Sequence, residues 1–268
     1  MTARRTIFIT GAGSGIGRAA AQRFASGGWF VGLADIDEPG LHGTAALLPD
    51  GLCSVHRLDV RDRPGWDDAL ADCARAGGGR IDAVFNNAGV PLGGQLSELT
   101  PEEIERTLDV NLKGVIFGAQ AAYPYLRETA PGSCLLNTAS AAGIYGAPGT
   151  SVYCATKFGV RAVTEALDGE WAGDGIRVCD LMPGFIETPL LDHAPNRVTN
   201  GDIRSRVRDA GLEITPVSAV AEAAWNAVHG TALHTLVGKT ARRMAFAARW
   251  MPGSLRRQMR KLVPPMGG

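Results

Sequence analysis

The sequence has little of what marks exported, metal-binding or membrane-spanning chains. Its five cysteines, Cys53, Cys73, Cys134, Cys154 and Cys179, never fall at C-x-x-C spacing. That excludes a zinc ribbon and a thioredoxin-like motif, and the chain runs from "MTARRTIFIT" straight into a strand-like segment with no secretory leader. A reducing, cytoplasmic setting without disulfides is therefore expected. The five histidines lack metal-ligand spacing, so no metal is expected either. No apolar run reaches the roughly 18 residues that a spanning helix needs. Repeats and linker-like low-complexity stretches are also missing, which argues for one domain in 268 residues. One absence is local. Residues 223–268 contain no Asp or Glu, yet carry Lys239, Arg242, Arg243, Arg249, Arg256, Arg257, Arg260 and Lys261. The overall net charge of zero thus conceals a basic end, and no nucleic-acid partner is expected.

What is present is regular. Apolar, β-branched runs at 5–10, 29–35, 53–60, 81–89, 132–140, 176–184 and 233–239 read as strands. Helical patterns occupy 17–28, 64–77, 101–125 and 151–172. Strands apolar on both sides, alternating with helices, predict an α/β fold. It is a Rossmann-like, doubly wound parallel sheet flanked by helices, a single domain over residues 1–240 with a C-terminal helical appendage at 241–268.

Between the first strand and helix lies "TGAGSGIG", with Gly11, Ser14, Gly15, Ile16 and Gly17. Glycines at this spacing allow a tight turn, close approach of a pyrophosphate and tight helix packing, while the helix N-terminus offers free N–H groups. Asp35 closes the second strand, where a carboxylate accepts hydrogen bonds from ribose hydroxyls and repels a 2′-phosphate. No Arg or Lys neighbours it in "LADIDEPG", so the expected cofactor is NAD rather than NADP.

"TSVYCATKFG" places Tyr153 four residues before Lys157, on one helical face. On spacing alone, a surface or half-buried structural pair is the better reading. The order of motifs decides between them. "TGAGSGIG", "LDV" at Asp59, "NNAG" at 86–89, Asn111, Ser140, "YCATK" and "PGFIET" at 183–188 together resemble the short-chain dehydrogenase/reductase family over about residues 5–190. The resemblance implies that Asp59 and Val60 flank the adenine and that Asn87, Ala88 and Gly89 line the fourth strand's end. It also implies that Pro183, Gly184, Ile186 and Thr188 hold the nicotinamide. Tyr153 becomes the acid/base, Lys157 its activator and a ribose ligand, Ser140 the orienter of the substrate oxygen, and Asn111 the support of a proton route. The chemistry asks for such a set. A secondary alcohol releases hydride only as its hydroxyl loses a proton, and a free phenol at pKa ~10 needs an adjacent cation to take it. Cys154, next to Tyr153, reads as core packing.

Substrate choice is expected in a loop at about 185–215, with Ser140, Ala142, Tyr145, Tyr153, Phe185 and Leu190 around the substrate. Their apolar bias suggests a hydrophobic secondary alcohol or ketone. The other reading is a non-catalytic cofactor-binding or interaction protein, which the intact tetrad argues against. The family implies a homodimer or homotetramer built on the helices at 101–125 and 151–172. In the tail, Met244, Phe246, Ala247, Trp250 and Met251 can share one apolar surface flanked by arginines. It suits packing on its own domain, a cover over the substrate entrance, a partner subunit, or peripheral contact with an anionic membrane.

Overall fold

A computed structural model describes residues 4–192 and 202–261. Its strands are short, and those at the centre of the sheet are buried. β1 (Thr6–Thr10), β2 (Phe30–Asp35), β3 (Cys53–Arg57), β4 (Ala83–Asn86), β5 (Cys134–Thr138) and β6 (Arg177–Pro183) precede a two-stranded ribbon of β7 (Phe185–Ile186) and β8 (Ile214–Thr215). β9 (His234–Val237) closes the main sheet. All seven strands of that sheet are parallel, in the order β3-β2-β1-β4-β5-β6-β9. Chain order reverses between β1 and β4, which opens a crevice at the strands' carboxyl ends.

Ten α-helices complete the described residues. They are α1 (Gly15–Ser26), α2 (Glu38–Ala45), α3 (Arg63–Ala76), α4 (Pro101–Leu108), α5 (Gly114–Glu128), α6 (Ser151–Trp171), α7 (Ile203–Asp209), α8 (Val217–His229), α9 (Lys239–Trp250) and α10 (Pro252–Lys261). The two-residue period of a strand sends alternate side chains to opposite faces. Ile7 and Ile9 of β1 join Phe24 of α1 and Val220 of α8 on one side of the sheet. Phe8, between them, joins Trp66 and Leu70 of α3 and Leu126 of α5 on the other. Buried amides tie the strands at the crevice: Asn86 Nδ2 donates to Asn137 Oδ1 at 3.0 Å, and Asn137 Nδ2 donates to Thr164 Oγ1 of α6 at 3.0 Å.

Two expectations change here. The helix read at 101–125 is α4 and α5 joined through a π-helical turn at Asp109–Lys113, and it runs on to Glu128. Such turns widen the helix to aim a residue, here the fully buried Asn111. The 240/241 boundary falls inside α9, because β9 ends at Val237 and Gly238, at φ 88°, turns the chain directly into the helix. Ala241 is fully buried there.

Candidate active site

A cleft of about 970 Å³ runs along the carboxyl ends of the strands, from the glycine turn to the start of α9. At one end, Gly15 holds φ +49°, a conformation side chains rarely adopt, and lets the chain turn from β1 into α1. Gly11, Ser14, Gly15 and Ile16 line the cleft. Gly17 sits behind them in the first turn of α1. A Cβ at Gly17 would lie 2.1 Å from the Gly11 carbonyl oxygen, so its role is to let α1 pass against the turn. Thr10, unremarked in the sequence, fixes the opposite wall. Its hydroxyl accepts from the Asn87 and Ala88 backbone N–H groups at 3.0 and 3.1 Å, and its carbonyl accepts from Asn87 Nδ2 at 2.9 Å.

Asp35 sits on the cleft wall and is oriented from both oxygens, accepting from Gly13 N at 2.9 Å and Asp37 N at 3.1 Å. Two cations of the neighbourhood are turned to other partners. Arg18 donates to the Gly13 and Gly40 carbonyls and to Thr44 Oγ1. Arg61 grips Asp59 with its guanidinium fork and holds that carboxyl below the usual carboxylate range. Asp59, Val60, Asn87, Ala88 and Gly89 all face the cleft.

In the middle lie Ser140, Tyr153 and Lys157. Ser140 follows β5, and its hydroxyl accepts from Ala142 N at 3.1 Å. α6 brings Tyr153 and Lys157 onto one face, with the ammonium 5.7 Å from the phenol ring centroid. Lys157 is 4% exposed and donates to the Thr138 carbonyl at 2.7 Å. Burial pushes the Tyr153 phenol up to about 12, against a downward pull from its hydrogen bond with Ser140. Burial brings the Lys157 ammonium down to about 8. The expected direction for the phenol is thus reversed by desolvation, which outweighs its polar neighbours. Asn111 lies behind the cleft rather than in it. Val90 holds its amide at both ends; the amide donates to that residue's carbonyl and accepts from its N–H, both at 2.8 Å. The side chain therefore clamps the loop after Gly89. Cys154 is buried and points toward Ala147 N and Thr150.

Pro183, Gly184, Phe185, Ile186, Thr188 and Leu190 form the far end with Ala142 and Tyr145. Two unexpected elements join them. α7 contributes Ile203 and Val207, and α9 contributes Thr240 and Met244. The signal for α7 was present: Asp202 accepts from Ser205 N at 2.6 Å as an N-cap, ahead of the helical run "IRSRVRD". Residues 193–201 of the expected 185–215 loop lie outside the described residues. Met244 is separated from the tail residues grouped with it. It is half-buried on the cleft, whereas Phe246 and Trp250 face outward.

The model of the short chain dehydrogenase family matches residues 5–198, more than two thirds of the chain. The chain belongs to that family. Meso-2,3-butanediol dehydrogenase of Serratia marcescens is 35% identical to this dehydrogenase over 194 residues, 72% of this chain and 76% of its own. Levodione reductase of Leifsonia aquatica is 32% identical over 224 residues, 82% and 83% of the two chains. Among solved structures, a short chain dehydrogenase/reductase from Burkholderia phymatum in complex with NAD aligns with a TM-score of 0.81 at 26% identity, covering 99% of this chain and 98% of its own. As a member of this dehydrogenase family, the protein is an oxidoreductase of the alcohol–ketone type that uses a nicotinamide cofactor. Among the described residues no helix is long and apolar enough to cross a membrane, and no cluster suits a metal ion.

Proposed function

We propose that this dehydrogenase interconverts a hydrophobic secondary alcohol and its ketone with NAD(H), using Tyr153 as acid/base. The observation that carries the reading is the Ser140–Tyr153–Lys157 group, with Ser140 and Lys157 buried and Tyr153 half-buried, set in the same cleft as the glycine turn and Asp35. The chain fits the dinucleotide. Gly11, Ser14, Gly15 and Ile16 leave a bare backbone turn for a pyrophosphate, and Asp35 presents an oriented carboxylate for ribose hydroxyls. Asp59 and Val60 would flank the adenine. Asn87, Ala88, Gly89, Pro183, Gly184, Ile186 and Thr188 would wall the nicotinamide. Arg18 is engaged with the Gly13 and Gly40 carbonyls and Arg61 with Asp59, and the oriented Asp35 carboxylate would repel a 2′-phosphate, which supports NAD over NADP.

When bound, nicotinamide accepts or supplies the hydride. The chain moves the proton. Ser140 donates a hydrogen bond to the substrate oxygen and aligns it with the Tyr153 hydroxyl. As the alcohol is oxidised, the Tyr153 oxygen takes its proton; as a ketone is reduced, the same oxygen returns it. A phenol buried to about 12 needs a nearby positive charge to do this near neutrality, and Lys157, charged below about pH 8, supplies it. Asn111 keeps the wall at Val90 in register beside the group. Ala142, Tyr145, Phe185 and Leu190, with Val207 and Met244, offer a largely apolar substrate wall. Assembly into a dimer or tetramer is supported by exposed Leu108, Ile116 and Phe158 on α4, α5 and α6.

The test is nicotinamide absorbance with a panel of hydrophobic secondary alcohols and NAD or NADP. Tyr153→Phe should lower kcat by about 10³-fold or more while NADH affinity changes less than about threefold. Near-wild-type turnover in that variant would remove Tyr153 from the chemistry. NADH binding without turnover on any alcohol, in wild type and variant alike, would favour the non-catalytic reading.

A further inference from the structure

The outer surface of α9 and α10 takes no part in the reaction above. A helix that packs only on its own domain turns its large apolar residues inward. α9 does so only in part. Its inner side holds Ala241, fully buried, with Met244, Ala245 and Ala248 half-buried. Phe246 is 59% exposed and Trp250 65%, and as i,i+4 neighbours they share the outer face. Met251 follows at 50%. Lys239, Arg242, Arg243 and Arg249 are exposed around them, the Arg249 guanidinium 5.2 Å from the Trp250 ring centroid. α10 then buries Leu255 and exposes Arg256, Arg257, Arg260 and Lys261. No acidic residue follows Glu222.

Charge selects the occupant. Two copies meeting symmetrically through this face would bring the arginines of α9 and α10 together, with Glu213 beside Lys239 an acid at its edge. A surface that is anionic outside and apolar just beneath complements it. Lys and Arg pair with phosphates, while Trp and Phe sit at the headgroup level. We infer that α9 and α10 dock the enzyme peripherally on anionic lipid bilayers, with Phe246, Trp250 and Met251 in the interface and the arginines against lipid phosphates. The inner side of α9 carries Met244, so the same helix is both the anchor and part of the cleft wall.

The test is co-sedimentation of the full-length enzyme with phosphatidylcholine vesicles, with and without about 30% phosphatidylglycerol, at about 0.1 M and 0.5 M salt. Two variants accompany it, Phe246→Ser/Trp250→Ser and Arg249→Glu/Arg256→Glu/Arg257→Glu. Neither alters a residue on the cleft, so both should keep their turnover in solution. The wild type should bind only the anionic vesicles and release at high salt, and each variant should bind at least about tenfold less. Vesicle binding is read without turnover, so its failure is separate from failure of the proposed reaction. No binding by the wild type, equal binding to neutral vesicles, or unchanged binding in both variants would each overturn the inference. So would a fall in molecular mass on sedimentation equilibrium in Phe246→Ser/Trp250→Ser with no vesicle binding by the wild type, since that would assign the face to a contact between copies.

Discussion

Replacing Lys157 by methionine should slow the enzyme and stabilise it in the same stroke. The ammonium is buried, pairs with no carboxylate among the described residues, and has one hydrogen bond, to the Thr138 carbonyl. Its fall from an ordinary 10.5 to about 8 corresponds to about 3 kcal/mol of disfavoured charge in the fold, at about 1.4 kcal/mol per pKa unit. Because the folded value is the lower one, the destabilisation is fully present below pH 8 and is relieved as pH rises toward 10.5. Methionine of similar length removes the charge but leaves the Thr138 carbonyl without its donor, which costs about 1–2 kcal/mol. The net gain at pH 7 is about 1–2 kcal/mol, a rise in Tm of a few degrees that shrinks at pH 10. For activity, a unit charge at 5.7 Å in an effective dielectric of about 20 stabilises a phenolate by about 3 kcal/mol, or about two pKa units. Turnover at pH 7 should fall about 100-fold, and the acidic limb of the pH–rate profile should move about two units upward. Calorimetry at pH 7 and pH 10, with kcat measured from pH 6 to 10, reads both effects. A variant that loses stability at pH 7, or keeps more than about a fifth of the wild-type rate with an unmoved limb, refutes the role given to this charge.

Three further outcomes follow from the geometry. Asp35→Ala should weaken NAD binding by about tenfold and narrow its advantage over NADP; cofactor titrations that show no change in the ratio would remove Asp35 as the selector. Gly17→Ala places a methyl 2.1 Å from the Gly11 carbonyl oxygen, so it should lower stability by about 2 kcal/mol or more and weaken the cofactor, read as Tm with and without NADH. Asp180, fully buried beside His234, is pushed by burial up to about 6. Its folded value is the higher one, so the fold loses stability as pH rises from about 4 to 6; Asp180→Asn should abolish that slope in denaturant titrations and be the more stable form at pH 7.

The sheet was legible because each buried strand is a continuous apolar run between helices, and because the glycine turn has one geometric solution at a strand-to-helix junction. Asp35 was placed by its position at the end of the second strand, and Ser140, Tyr153 and Lys157 by the order of motifs that resembles the family. Other features depend on contacts distant in the chain. Nothing local marks Thr10 as the partner of Asn87, 77 residues away, or Thr138 as the acceptor for Lys157. The π-helical turn at Asn111 hides in an ordinary helical pattern, and its cause is the clamp on Val90. The direction of the Tyr153 shift could not be read from a neighbouring lysine, because burial is a property of the folded cleft. Gly17 fits a ligand-binding pattern and serves packing. The tail pattern grouped residues by hydrophobicity, and the structure divides them by helical angle, Met244 inward and Phe246 and Trp250 outward.

The neck of the substrate loop carries one more consequence. β7 and β8 pair Phe185 with Ile214 and Ile186 with Thr215, and Glu187 N donates to the Thr215 carbonyl at 2.9 Å. Glu213 accepts from Lys239 N at 2.6 Å, fastening the returning limb to α9. The two ends of the stretch 189–212 are thus held side by side, by backbone bonds between β7 and β8 and by the Glu213 carboxylate on Lys239 N. Loop length costs little once the ends are joined, so this stretch is a replaceable cassette. A segment of different length and composition can be grafted between Thr188 and Glu213, leaving in place the Thr188 contact with the glycine turn and the Glu213 bond to α9, which makes it the place where divergence, or a directed library, would retune the catalyst toward a new alcohol.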